Sequence, residues 1–334
     1  MQFFPTQYST LSSGALYEYV KQQYGLPLTK CTLLLHGVSD TYVLHTESTK
    51  YILKIYRSVH RTLEEVKGEV ELLNILTTDN CKVAYPIADL SGEYVQQFHA
   101  PEGARYGVVT SYAAGKATND LTPEMLAIVG REMAAIHNAT ASVDLKYTRQ
   151  EYNIYTTLER PLKILEGIFA EYKKDAEYQW LTEASAAVAE QLNSFDTAAL
   201  STGYCHYDYF PKNFFFDTEN NFTVFDFDFA GKGYLANDLA SIHVYFFLWF
   251  SMKKITAEES SASFNTVVAG YRERRYISDA ELKAVPSLGF ALLLFYLGFQ
   301  YENHDDWSNT FWGPNYLSER LATMKKYKEQ YCDC

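Results

Sequence analysis

Residues 203–240 read GYCHYDYFPKNFFFDTENNFTVFDFDFAGKGYLANDLA, and this stretch decides the fold. Three polar clusters within it are separated by apolar, strand-like runs. The first is His206-Tyr207-Asp208 with Asn213 five residues further on, the second is Asp226-Phe227-Asp228, and the third is Asp238. Asp238 opens an apolar run that is typical of a helix.

The run between the first two clusters predicts a β-hairpin. Residues 214–216 and 222–225 are aromatic or β-branched, and they flank a polar turn over residues 217–221. Because a hairpin brings its two ends together, we expect Asn213 and Asp226 to be neighbours, with Asp208 beside them. Amide and carboxylate oxygens suit Mg²⁺, and a further aspartate nearby can accept a proton from an incoming hydroxyl.

The order and spacing of these residues match the requirements of phosphoryl transfer. An H-x-D-x-x-x-x-N loop followed by D-F-x makes Asp208 the candidate base and makes Asn213 and Asp226 the candidate Mg²⁺ ligands. His206 is the second catalytic-loop candidate, and we expect it to brace the loop by hydrogen bonding. A structural H-x-D corner is the alternative, since such tripeptides are common. Four polar positions at this spacing around a hairpin favour the catalytic interpretation.

These motifs resemble those of the aminoglycoside phosphotransferase and choline kinase-like small-molecule kinases. That family has H-G-D-x-x-x-x-N, then D-F-[DEG] about a dozen residues later, then a D-[LI]-A helix start. The resemblance implies an α+β, two-lobed protein kinase-like fold. Its N-lobe, residues 1–112, would hold a small antiparallel β-sheet with one key helix, and its larger C-lobe, residues 113–334, would be mainly helical. Tyr207 replaces the usual Gly, and we expect its bulk to narrow the loop or alter the substrate's approach.

Local signals predict the first elements of the chain. Ser12 or Ser13 is the candidate N-cap of a first helix that runs to about Tyr24, and Gly25 ends it. Residues 32–35, 41–46 and 51–56 predict three strands, with a loop over residues 36–40 between the first two.

A lysine in the N-terminal part is the candidate nucleotide ligand. Lys54 lies in the strongly apolar run YILKIY, residues 51–56, and a buried ammonium needs an anion. The kinase template supplies nucleotide phosphates and a helix glutamate, whereas a solvent-facing lysine on an edge strand is the alternative. Apolar positions at spacings of three and four predict a helix over residues 63–76. The resemblance assigns the glutamate to Glu69, which begins E-x-x-L-L-x-x-L.

Two further segments are candidate binding regions. Residues 107–112 predict the last N-lobe strand, and the resemblance implies that backbone groups of Ser111, Tyr112 and Ala113 bind the adenine edge. Near the C-terminus, aromatic and acidic side chains occur together, and they suit a cationic amine acceptor. These candidate acceptor contacts are Glu302, Asp305, Asp306 and Trp307. An exposed loop with ordinary anchoring aromatics is the alternative.

Composition excludes several classes of protein. The 334 residues carry a net charge of -12, which disfavours a nucleic-acid partner. Five scattered cysteines without a CxxC pair indicate reduced thiols in the cytoplasm. The N-terminus resembles no signal peptide, and the apolar run 288–299 is too short to span a bilayer, so we expect a buried helix and no membrane partner. We expect a monomer or a homodimer.

Together these features predict Mg²⁺-dependent transfer of the γ-phosphate of ATP or GTP to a hydroxyl of a small molecule. Amino alcohols, sugars and aminoglycosides are the acceptors that the resemblance implies. One alternative is a pseudokinase that binds nucleotide or a partner without transfer. Another is a metal-dependent hydrolase with His206, Asp208 and Asp226 as ligands.

Overall fold

The computed structural model describes residues 6, 8–57, 59–196, 199–304 and 311–332. Contacts between α-carbons divide the chain into two compact units. Unit 1 comprises Met1–Gly115, Asp144–Arg149 and Thr223–Phe225, and unit 2 comprises Lys116–Val143, Gln150–Phe222 and Asp226–Cys334. Val224 belongs with unit 1 because its backbone exchanges hydrogen bonds with Lys82 and Ala84.

Unit 1 is built around an antiparallel sheet. Its elements are α1 (Ser13–Tyr24), β1 (Lys30–His36), β2 (Ser39–His45), β3 (Lys50–Tyr56), α2 (Leu63–Thr78), β4 (Pro86–Ile87), β5 (Val95–Ala100) and β6 (Gly103–Ser111). The strands lie in the order β1-β2-β3-β6-β4, and β5 also pairs with β6. The predicted strands and the helix over residues 63–76 are therefore confirmed.

Helix α1 begins and ends at the residues that its sequence predicts. The Ser12 hydroxyl accepts a hydrogen bond from the Ala15 N–H at 3.5 Å, and Gly25 follows the helix with a φ of 63°. Leu16 and Val20 are buried on the inner face of the helix, in the core that covers one side of the sheet.

The turn between β1 and β2 is tighter than the five-residue loop expected at residues 36–40. The first strand continues to His36, and the second begins at Ser39. Asp40 lies in the strand because its carboxylate binds the buried Arg105 guanidinium, with Nη2 2.9 Å from Oδ2. A buried charge needs such a partner, so this ion pair fixes Asp40 in the sheet.

Unit 2 is mainly helical. Its helices are α3 (Pro123–Thr140), α4 (Arg160–Glu171), α5 (Asp175–Ser194), α6 (Ala236–Ser251), α7 (Ala257–Arg272), α8 (Asp279–Glu302) and α9 (Pro314–Tyr331). Its strands are β7 (Gln150–Glu151), β8 (Thr202–Cys205), β9 (Phe214–Phe216), β10 (Phe222–Val224) and β11 (Gly231–Tyr234). Of β10, only Phe222 belongs to this unit. Strands β7, β11 and β8 form a small sheet, and β9 with β10 forms the predicted hairpin.

Helix α8 extends well beyond the apolar run 288–299. Ser278 and Glu281 form a capping box at its start, and it runs for 24 residues with Pro286 inside. Among the described residues this longer helix is the one with the length and apolar character to cross a membrane. However, 67% of its most apolar stretch is buried within the protein, as in the core helix of a soluble protein.

Candidate active site

Three side chains hold the buried carboxylate of Asp208, the candidate base. The Tyr296 hydroxyl donates to Oδ1 at 2.5 Å, the Asn213 amide donates to Oδ2 at 2.7 Å, and Lys212 Nζ lies 2.9 Å from Oδ2. Each carboxylate oxygen accepts about two hydrogen bonds. Among the described residues Oδ2 is therefore filled, whereas Oδ1 retains one acceptor position.

The two candidate metal ligands flank the hairpin. Asn213 directly precedes β9, and Asp226 comes two residues after β10, so both residues lie at the same end of the hairpin. The Asn213 Nδ2 also donates to the Asp208 carbonyl at 2.8 Å, which leaves its Oδ1 as an oxygen ligand. Asp226 is exposed and has a φ of 64°. An amide oxygen with a carboxylate is a donor set that fits Mg²⁺.

Asp238, in the first turn of α6, holds the backbone of the catalytic loop. Its Oδ2 accepts from the His206 N–H at 2.9 Å, and its Oδ1 accepts from the Tyr207 N–H at 2.6 Å. Asp238 does not cap α6, because the cap position is Leu235. The carboxylate of Asp238 steadies the loop instead.

His137 completes this buried network. Its Nε2 donates to Asp238 Oδ2 at 3.0 Å, and its Nδ1 lies 2.8 Å from the Tyr271 hydroxyl. Both His137 and Asp238 are fully buried. Helices α3, α6 and α7 are thereby joined under the catalytic loop.

Tyr207, which stands where the resembling family has Gly, is buried. Its φ is 67°, and its ring stacks face to face on Tyr152 with centroids 3.4 Å apart and contacts the edge of Phe295. Burial raises the pKa of the Tyr207 hydroxyl well above its ordinary value. The ring thus packs in an aromatic core, and the effect of Tyr207 on the loop and on the substrate's approach stays a prediction.

His206 is also buried. Its ring packs edge-on against Phe227, with centroids 4.6 Å apart, and against Tyr209 at 5.5 Å. The neighbouring Asp228 is buried as well, at 4% exposure. The His206 ring is therefore packed within the loop. Its role in bracing the loop remains a prediction.

A cavity of about 360 Å³ opens beside Asp208 within unit 2. Its lining residues come from the catalytic loop, from the segment before α3, and from α6, α8 and α9: Asn119, Asp208, Phe210, Pro211, Lys212, Val244, Tyr245, Leu248, Leu293, Tyr296, Leu297, Gln300 and Arg320. The cavity has the size of a small-molecule site.

The sequence pattern did not single out Tyr296 or Arg320 as site residues. Burial and the charge of Asp208 raise the pKa of Tyr296 well above its ordinary value. The Tyr296 hydroxyl therefore stays protonated and acts as a hydrogen-bond donor to Asp208. A tyrosine inside an apolar helix needs a hydrogen-bond partner, and this was the only signal available. Nothing in the pattern of α9 distinguished Arg320.

Of the four predicted acceptor contacts near the C-terminus, the structure describes one, Glu302. Glu302, at the end of α8, forms an ion pair with Arg160, whose Nη2 lies 2.5 Å from Oε1. Asp305, Asp306 and Trp307 lie outside the described residues. The acceptor role of all four remains a prediction.

In unit 1, Tyr56 contacts both predicted phosphate-site residues. Lys54 Nζ lies 5.0 Å from the Tyr56 ring centroid, and the Tyr56 hydroxyl donates to Glu69 Oε1 at 2.9 Å. Arg149 Nη1 lies 3.7 Å from the other oxygen of the nearly buried Glu69. Tyr56 and Arg149 were not predicted as part of this cluster.

The segment after β6 contains the predicted adenine contacts. The Ser111 N–H donates to the Tyr85 carbonyl at 2.8 Å, and its hydroxyl accepts from the Tyr85 N–H. Among the described residues, no hydrogen bond involves the N–H of Tyr112 or Ala113. The adenine-binding role of Ser111, Tyr112 and Ala113 stays a prediction.

The described part of the chain contains no group of three or more His, Cys, Asp or Glu side chains that could hold a metal ion. The hydrolase alternative needs His206, Asp208 and Asp226 as such a group. In contrast, a kinase site needs only the Asn213 and Asp226 oxygens from the protein, with nucleotide phosphates completing the coordination.

A buried aspartate held beside a cavity, with an Asn and an Asp at one end of a hairpin, defines a protein of the small-molecule phosphotransferase class. The model of the phosphotransferase enzyme family matches residues 30–276, and the chain belongs to this family.

Comparison with individual proteins agrees with this assignment. An uncharacterised protein of Deinococcus radiodurans is 30% identical over 335 residues, covering 98% of this chain and 93% of that one. The amicoumacin kinase of Bacillus subtilis is 26% identical, covering 79% and 77%. The solved structure of the amicoumacin kinase hAmiN in complex with AMP-PNP, Ca²⁺ and Ami has a TM-score of 0.77 at 19% identity, covering 96% and 94%. The α+β kinase-like fold is thereby confirmed.

Proposed function

We propose that this protein transfers the γ-phosphate of ATP or GTP to a hydroxyl group of a small molecule. The observation that carries the proposal is the state of Asp208. Its carboxylate is buried, lines a cavity of small-molecule size and keeps one acceptor position on Oδ1 among the described residues. Membership of the phosphotransferase family and the similarity to an amicoumacin kinase support it.

In this mechanism the acceptor hydroxyl donates a hydrogen bond to Asp208 Oδ1. The acceptor oxygen forms a bond to the γ-phosphorus, and the bond from that phosphorus to the β,γ-bridging oxygen breaks. Asp208 takes the hydroxyl proton, and the nucleoside diphosphate leaves. The hydrogen bonds from Tyr296 and Asn213 hold the carboxylate in place for this step.

Asn213 Oδ1 and the Asp226 carboxylate are the residues that would hold Mg²⁺. When bound, the ion neutralises negative charge on the nucleotide phosphates. A solved relative structure holds a nucleotide analogue together with a divalent cation, which supports the requirement for both.

Residues of unit 1 would bind the nucleotide. Lys54 would pair with the phosphates, and Glu69 would orient Lys54 together with Tyr56, which contacts both. The N–H groups of Tyr112 and Ala113 would bind the adenine edge. Amino alcohols such as homoserine, sugars and aminoglycosides remain the proposed acceptor classes.

We also propose a cytoplasmic enzyme that acts as a monomer or a homodimer. No disulfide joins any two of the four cysteines that the structure describes, as expected in a reducing compartment.

A nucleotide-consumption assay over a panel of amino alcohols, sugars and aminoglycosides tests the function, with ATP or GTP and with or without Mg²⁺. We expect Mg²⁺-dependent turnover with at least one acceptor and a phosphorylated product by mass spectrometry. Binding of Mg²⁺-nucleotide without turnover on any acceptor would favour the pseudokinase alternative. Failure to bind either nucleotide would contradict the proposal.

A further inference from the structure

The charged side chains around the Asp208 cavity are not those that a purely cationic acceptor needs. Among the described lining residues, Asp208 is the one carboxylate, and Lys212 and Arg320 are the two cations. Asp208 is already engaged by Tyr296, Asn213 and Lys212. The cavity therefore offers an acceptor more positive than negative charge.

The two cations differ in what they can offer. Lys212 is largely exposed, and its ammonium is paired with Asp208 at 2.9 Å. No carboxylate of the described residues lies within ion-pairing distance of the Arg320 guanidinium. The Arg320 Nε is buried and has no hydrogen-bond partner in the described part of the chain. A buried N–H without a partner is costly, and an anionic ligand group would satisfy it.

Contacts on α9 hold the Arg320 guanidinium in place. It lies 4.7 Å from the Tyr316 ring centroid, and the Tyr316 hydroxyl donates to Gln300 Oε1 at 2.6 Å. Gln300 also lines the cavity. A planar guanidinium held on an aromatic ring loses little freedom when it binds a carboxylate through two parallel hydrogen bonds.

We propose that the acceptor carries a carboxylate that binds Arg320, in addition to the hydroxyl that binds Asp208. The acceptor is thus a hydroxy acid or a hydroxy amino acid, and Arg320 is a specificity-determining residue. The apolar lining side chains of Val244, Leu248 and Leu293 contact its carbon chain. The role of the hydroxyl rests on the proposed function, whereas the role of the carboxylate concerns binding alone.

Matched ligand pairs test this inference. L-homoserine is compared with its reduced alcohol, in which a hydroxymethyl group replaces the carboxylate, and ω-hydroxy acids of increasing length are compared with the diols of equal length. Binding to the protein with Mg²⁺ and AMP-PNP is measured by NMR titration. For at least one pair, we expect roughly tenfold or greater preference for the carboxylate member, as for a charge-assisted hydrogen-bonded pair.

The variant Arg320→Gln should bring this ratio close to one. Lys326→Gln removes an exposed charge from the same helix and is the matched control, which should keep the preference. Urea unfolding of both variants verifies that they fold. Equal affinities within every pair, or a preference that persists in Arg320→Gln, would overturn the inference.

Turnover of the same pairs separates this inference from the proposed function. One outcome is that the carboxylate members bind more tightly through Arg320 while no acceptor is phosphorylated. This outcome would support the inference and contradict the kinase function. Phosphorylation of acceptors without a preference for the carboxylate member would support the kinase function and contradict the inference. Absence of both would overturn both.

Discussion

Tyr207 has a backbone conformation that costs most residues free energy. At a φ of 67°, an L-residue other than Gly, Asn or Asp is strained by about 1–2 kcal/mol. The stacked Tyr152 ring, the Phe295 edge and the burial of the Tyr207 side chain offset this strain. The tyrosine thus keeps a left-handed backbone that Gly adopts without strain, and its ring joins the loop to the core.

Replacing Tyr207 separates the strain from the packing. Tyr207→Ala should lower the free energy of unfolding by roughly 3 kcal/mol, because an aromatic ring leaves a packed core. Tyr207→Gly should be about 1 kcal/mol less destabilising, since Gly adopts positive φ without strain. Urea denaturation measures both. An alanine variant as stable as the glycine variant would show that the positive φ carries no strain.

Some residues of the candidate site could be predicted from the sequence, and others could not. Asp208, Asn213 and Asp226 lie within one short stretch, so their spacing around a hairpin was sufficient to group them. Tyr296 and Arg320 lie on α8 and α9, and only the packing of distant helices brings them to the same cavity. Spacing along the chain carries no information about such contacts.

At the scale of elements, α6 holds the catalytic loop through a carboxylate in its first turn. Asp238→Asn should lower the free energy of unfolding by roughly 3 kcal/mol, because the amide places a donor among the buried N–H groups of His206 and Tyr207. Urea denaturation measures this change. Asp279→Asn, in the first turn of α8 with a side chain 92% exposed, is the control and should change stability by less than about 1 kcal/mol. Similar losses in both variants would contradict the role of Asp238.

The packing of α6 against α9 makes stability depend on pH. Burial lowers the pKa of His243 to about 4, and its Nδ1 lies 2.8 Å from the Tyr327 hydroxyl. Burial raises the pKa of that hydroxyl, so it keeps its proton and donates to the neutral imidazole.

Since the unfolded chain binds the proton near pH 6.5, the stability from neutral His243 is fully present above that pH. It is lost as the pH falls towards 4, and the loss amounts to about 3 kcal/mol. His243→Gln should flatten the pH dependence of the unfolding free energy in this window. His99→Gln, at an exposed position, is the control. Equal slopes in wild type and His243→Gln would contradict this account.

The limits of elements were predicted well where local signals mark them. Ser12 and Gly25 bound α1 because capping is a local interaction. The β1–β2 turn was predicted too long because Asp40 belongs to the sheet through its contact with Arg105, far along the chain. The extent of α8 was missed because periodicity weakens in a helix buried on most sides.

For the whole molecule, bound nucleotide should raise thermal stability. At a free nucleotide concentration about a hundredfold above Kd, Mg²⁺-ATP should add about 2.7 kcal/mol and raise Tm by a few degrees. Lys54→Met should lose most of this rise, since the proposed phosphate contact is removed. Lys30→Met, at an exposed position on β1 of the same sheet, is the matched control and should keep it. An undiminished Tm rise in Lys54→Met would contradict the role of Lys54.

The fold class of the whole chain could be predicted because a few motifs within residues 203–240 are specific to one family. The identity of the acceptor could not be predicted, because the proposed acceptor cavity is formed by helices whose sequences show only apolar packing.

Asp208→Asn tests the central claim most directly. Nucleotide binding and acceptor phosphorylation are measured side by side in this variant and in wild type, with Asp279→Asn as the control. We predict that Asp208→Asn binds Mg²⁺-nucleotide within about twofold of wild type but phosphorylates the acceptor at least about a hundredfold more slowly, the loss expected for a general base. Phosphorylation at the wild-type rate in Asp208→Asn would contradict the account.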